Sequence, residues 1–224
     1  TQSRSSAASD VYKRQTLTDD AQYKDFNEIP TTALASGSVV ELMPGTYDAI
    51  ASANTAGVTL RGVGSPASVV IPTVTISSGT TGVSRFENLT IGSGTDTTPV
   101  VTVSGTSTTA GISMKGVVIN TGAATSPAAI ANHGTGAVVL RSCHFEDDDA
   151  IAPTAVSSVW SNGAGNVLEF CSVNSTSTNQ ALQGVAGTTT YRITGVYQTG
   201  AGGGNTGGVV TTVSSNIAAG SADA

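Results

Sequence analysis

The chain has 224 residues, 27 of them Gly, with aromatics at 4% and charged residues at 11%. Globular domains carry about 25% charged residues, so this composition argues against an α/β enzyme and for short strands separated by small polar turns. A formal net charge of −6 with scattered basic residues gives no phosphate-binding face, and no apolar run reaches the roughly 18 residues of a membrane helix, so neither nucleic acid nor a membrane is an expected partner.

In chain order, residues 1–15 come first. Within them, Asp10-Val-Tyr-Lys-Arg-Gln15 resembles the translated adapter of a transposon-based sequencing library. The resemblance implies that residues 1–15 are an artefact or a disordered tail, and that the native N-terminus is missing. No secretion signal with a charged start and an apolar centre is legible. Residues 16–37 read as an N-terminal cap. A short helix is expected from Asp20 to Ile29, with Asp19 or Asp20 as its N-cap and Pro30 just beyond its end.

Residues 38–199 carry a repeat. Its anchors are Leu60, Phe86, Met114, Leu140, Leu168 and Tyr191, spaced 26, 28, 26, 28 and 23 residues apart. The residue after each anchor is charged: Arg61, Glu87, Lys115, Arg141, Glu169 and Arg192. Three places after the anchor stand Val63, Leu89, Val117, Cys143, Cys171 and Thr194; five places after it stand Ser65, Ile91, Ile119, Phe145, Val173 and Val196. Strand residues alternate in and out, so the step from the anchor to the third residue breaks parity. A corner at Gly62, Asn88, Gly116 or Ser142 restores the inward direction. A further strand falls in each interval: Thr73-Val-Thr-Ile, Val100-Val-Thr-Val, Ala129-Ile-Ala-Asn and Ser158-Val-Trp-Ser, with Val103, Asn132 and Ser161 in equivalent places. Strands recurring in this way without helices between them describe stacked coils. The expected fold is all-β, a right-handed parallel β-helix of roughly six or seven coils with a short N-terminal capping helix. Residues 200–224 read as a Gly-rich loop and a last strand from Val209 to Val213.

Val39-Val-Glu-Leu-Met-Pro-Gly-Thr-Tyr47, followed by Gly57-Val-Thr-Leu-Arg-Gly62, resembles the first coils of the pectate-lyase-like β-helix superfamily. The resemblance implies that fold and a helix plugging the first coil. It does not supply an active site. Asp147-Asp148 and Asn132-His133-Gly134 resemble polygalacturonase motifs, which use an acid and a base carboxyl. Here their order is reversed, and the Asn-Thr-Asp and Arg-x-Lys motifs are missing. Gly45-Thr-Tyr47 resembles the first motif of pectin methylesterases without the Glu that follows. Val159-Trp-Ser-Asn resembles the Trp-Ile-Asp-His block of pectate lyases without its Asp or His. Asp147, Asp148 and His133 are the only catalytic candidates, set against a solvated or cation-binding corner loop for the run Glu146 to Asp149.

The column Arg61, Glu87, Lys115, Arg141, Glu169 and Arg192 is expected on one outer face, about 4.8 Å between steps, as a structural charge ladder or as a glycan-facing groove. Cys143 and Cys171 are expected as inward neighbours. Free stacked thiols, a disulfide and a metal site are the alternatives, and the absence of a second pair or a repeated His speaks against zinc. No metal and no cofactor are expected. An ice-binding face needs Thr-x-Thr in register, but Thr73-Val-Thr75 is not repeated at Val101 and Val103 or at Ile130 and Asn132.

The function expected is a non-enzymatic module of a virion fibre, spike or decoration protein, or of a surface assembly. Its expected partners are other virion or surface proteins, carbohydrate and two further copies in a homotrimer. The alternative is a polysaccharide lyase or glycoside hydrolase of a phage spike or secreted protein. Both rest on analogy, since fold does not give function.

Overall fold

The computed structural model describes residues 13–15, 22–23, 26–29, 34–51, 57–76, 82–94, 99–104, 111–120, 128–146, 157–161, 163, 165–174, 182–184, 190–194, 197–199, 209–213 and 218–219. These residues form a parallel β-solenoid with three sheets. The first sheet stacks Val39–Leu42, Thr59–Gly62, Val83–Glu87, Gly111–Lys115, Val138–Arg141, Asn166–Glu169, Thr190–Thr194 and Val209–Val213 in parallel. The second sheet runs through Val69–Ile71, Thr90–Ile91, Val118–Asn120, His144–Glu146 and Ser172–Asn174. The third runs through Val74–Ile76, Val101–Val103, Ala128–Asn132 and Ser157–Ser161. Among the described residues, antiparallel pairing occurs only at the N-terminal edge, where Lys13–Gln15 lies between Val39–Leu42 and Gln22–Tyr23.

Three columns of side chains make the core. Leu60, Phe86, Met114, Leu140 and Leu168 stack in register in the first sheet, and all are buried. Ile71, Ile91, Ile119 and Phe145 do so in the second sheet, and Val74, Val101, Ile130 and Val159 in the third. Full burial of such a side chain contributes about 1.5–3 kcal/mol, and each coil realises it only against its neighbours.

The corner between the first and second sheets works as the broken parity requires. Asn88, Gly116, Ser142 and Phe170 have φ of 53°, 61°, 51° and 53°. One left-handed residue turns the chain, so Leu89, Val117, Cys143 and Cys171 point inward directly after it. The N–H groups of the four corner residues donate to Lys115, Arg141, Glu169 and Thr194 carbonyls one coil on, at 2.8–3.0 Å. Asn88 adds its Nδ2, which donates to the Gly62 and Gly64 carbonyls at 2.9 and 2.7 Å.

Four expectations are corrected. About three turns are fully described, not six or seven, because counting anchors counts strands of one sheet and not closed coils. Of the helix expected from Asp20 to Ile29, the described residues show Gln22–Tyr23 as a strand and Phe26–Glu28 as one 3-10 turn. Tyr191 is not the sixth anchor. Asn166 pairs with Tyr191 and Leu168 pairs with Ile193, which moves that strand by two residues. At the other end, Val63 and Ser65 do not occupy the second-sheet columns. Pro66–Ser68 forms a 3-10 turn there, and Val69 and Ile71 take those places.

Candidate functional site on the outer wall

The charged column exists and is spent largely on itself. Arg61, Glu87, Lys115, Arg141 and Glu169 stand in register on the outer side of the first sheet. Arg61 Nε meets Glu87 Oε2 at 2.8 Å, and Arg141 Nε meets Glu169 Oε2 at 2.8 Å. Arg192 is out of register, opposite Val167, yet its Nη2 still reaches Glu169 Oε1 at 2.9 Å. Glu41 opens the column opposite Arg61, and the sequence reading missed it. The signal was present: Val40 pairs with Leu60, so Val40-Glu41 is one more apolar anchor followed by a charge. Beside it, an open depression is lined by residues 35–39, Glu41 and Arg61.

His133 is exposed after the strand Ala128–Asn132, and its backbone N–H donates to the Val103 carbonyl at 2.9 Å. Asp147 and Asp148 lie outside the described residues, so no geometry joins them to His133. Glu146 is described, and it belongs to a group that sequence reasoning overlooked. His144 pairs with Ser172 across adjacent coils, with Nδ1 2.6 Å from Ser172 Oγ, while Nε2 is 3.5 Å from Glu146 Oε1. Counting four places on from Leu140 and Leu168 would have found the pair.

A hydroxyl, an imidazole and a carboxylate in contact invite comparison with a nucleophilic site. Acyl transfer also needs N–H donors free to hold an oxyanion. The Ser172 N–H is bonded to the Cys143 carbonyl and the His144 N–H to the Val117 carbonyl, both at 2.9 Å. The sheet ladder has already taken these two donors, so neither is free to hold an oxyanion.

A second polar group is buried at the corner leading back from the third sheet to the first. Asn132 Nδ2 donates to Ser161 Oγ at 2.9 Å and to the Gly136 carbonyl at 2.8 Å. Ser161 Oγ donates to Asn166 Oδ1 at 3.2 Å and accepts from the Gly163 N–H at 3.0 Å. Asn166 Oδ1 accepts from the Val138 N–H at 2.9 Å, and its Nδ2 donates to the Gly163 carbonyl at 2.6 Å. Every group is satisfied from within, so the network fixes a turn.

Cys143 and Cys171 are both free and buried. The Cys171 thiol hydrogen bond and burial push Cys143 far above the ordinary thiol range, whereas the hydrogen bond from Cys143 holds Cys171 below it. Among the described residues no three His, Cys, Asp or Glu side chains come together to hold a metal ion, and no helix is long and apolar enough to cross a membrane. Neither a family model, nor a curated protein, nor a solved structure matches the chain. The class of protein defined here is therefore the parallel β-solenoid, established from its own pairing.

Proposed function

We propose that the chain is a non-enzymatic structural module of a virion fibre, spike or decoration protein, or of another surface assembly, outside the cell. The observation carrying this reading is that the reactive side chains of the outer wall partner one another across coils. Glu87 and Glu169 are ion-paired, His144 is joined to Ser172, and the adjacent N–H groups are held in the ladder. Side chains engaged in this way tie neighbouring coils together. We read the solenoid as right-handed, as about 98% of parallel crossovers are, and as pectate-lyase-like. In support of the latter, the Pro44-Gly45 turn brings Tyr47 into the core, where its hydroxyl donates to the Met43 carbonyl at 2.8 Å. Carbohydrate is the ligand class proposed for the column from Arg61 to Arg192.

The test incubates the full chain with pectin, polygalacturonate and alginate, following reducing ends and the absorbance of unsaturated products. Both stay at background. Product release that disappears in an Asp147→Ala, Asp148→Ala double variant would overturn the proposal in favour of a polysaccharide lyase or hydrolase.

A further inference from the structure

The only two cysteines of the chain occupy the same place in adjacent coils. Their following residues, His144 and Ser172, are register partners, and the Ser172 N–H donates to the Cys143 carbonyl at 2.9 Å. Stacked parallel strands lie about 4.8 Å apart, within the roughly 4.4–6.8 Å between Cα atoms that a disulfide accepts. The side chains share one orientation: Cys143 Sγ donates to the Arg141 carbonyl at 3.4 Å, and Cys171 Sγ to the Glu169 carbonyl at 3.5 Å. Leu89 and Val117 fill this column in the preceding coils, so packing alone needs no sulfur here.

We infer that Cys143 and Cys171 are a dithiol that a low-molecular-weight disulfide converts into an inter-coil disulfide, a redox-set staple between neighbouring turns. The Cys171 thiolate attacks one sulfur of the small disulfide, whose S–S bond breaks and releases one thiolate. Cys143 then loses its proton to solvent and attacks the Cys171 sulfur of the mixed disulfide, expelling the second thiolate. The protein loses two electrons and two protons, and the reagent gains the electrons as two thiolates. Each cysteine is 1% exposed, so the exchange requires the coil to open or to be still folding. Each cysteine lies two residues after one member of the Arg141–Glu169 pair, so that coil interface would be fastened from inside as well as outside. The inference does not depend on the function proposed above, but a module displayed in an oxidising exterior would be locked there.

The full chain is reduced, denatured and refolded in a buffer of reduced and oxidised glutathione, beside Cys143→Ala and Cys171→Ala. The expected product is a chain with no disulfide to another chain and no alkylatable thiol, lighter by two hydrogens. Cleavage after Glu146 and Glu169 then leaves the two cysteine peptides joined. Its Tm exceeds that of the reduced chain by roughly 5–10 °C, the gain vanishes on reduction, and neither variant shows it. Incubating never-denatured protein with glutathione disulfide gives the same product more slowly. Thiols that still alkylate under both regimes, disulfides only between chains, or an oxidised form melting no higher would each overturn the inference.

Discussion

Phe170 sits where the corner column otherwise places Asn88, Gly116 and Ser142, at φ 53° and 69% exposed. The left-handed conformation costs a residue with a Cβ about 1–2 kcal/mol. Asn88 offsets that cost with two side-chain hydrogen bonds, and Gly116 does not incur it. Phe170 gains little by burial. Phe170→Gly should therefore stabilise the chain by roughly 0.5–1 kcal/mol despite the extra freedom of glycine when unfolded. Denaturant unfolding of the two proteins under one set of conditions decides it, and a net loss would show that the ring packs on something. Gly163 illustrates the opposite constraint. A Cβ there would collide with the Gly136 carbonyl, so the close approach of two corners requires glycine.

Two polar ladders of the solenoid differ in what they contribute. Ser161 is fully buried at the centre of a satisfied network, so Ser161→Ala leaves Asn132, Gly163 and Asn166 each without one partner. The cost should be roughly 1–3 kcal/mol and independent of salt. Glu169 holds two guanidinium groups, but on the outer face, with the arginine side chains about half exposed. Glu169→Ala should cost under about 1 kcal/mol, shrinking further as salt screens the pair. Urea titrations of both variants at low and high ionic strength separate the two ladders; equal salt dependence would contradict the assignment.

A solenoid buries its core between neighbouring coils, so its ends govern its association. At the N-terminal edge Lys13–Gln15 runs antiparallel along Val39–Leu42. At the other end Val209–Val213, the last described strand of the first sheet, pairs with Thr190–Thr194. Closed rotational symmetry is the usual outcome of self-association, and a homotrimer is the state we propose. Light scattering of the full chain at high micromolar concentration should return three chains per particle. A monomer at that concentration would remove the oligomer and leave the fold untouched.

The sequence alone determined the repeat, the inward columns through Leu60 to Leu168, the corner positions Asn88, Gly116 and Ser142, and the neighbouring cysteines. Each follows from a parity that local residues carry: a one-residue error would turn every apolar side chain outward. A slip of two residues preserves that parity, which is why Tyr191 and Ile193 were interchangeable on paper and only strand pairing chose between them. An inserted turn is equally silent, so Pro66–Ser68 displaced the first second-sheet column unannounced. The site was legible as a row of charges but not as a set of bonds. Whether Arg192 reaches Glu169, or Ser172 meets His144, depends on lateral distances across coils that no spacing along the chain contains.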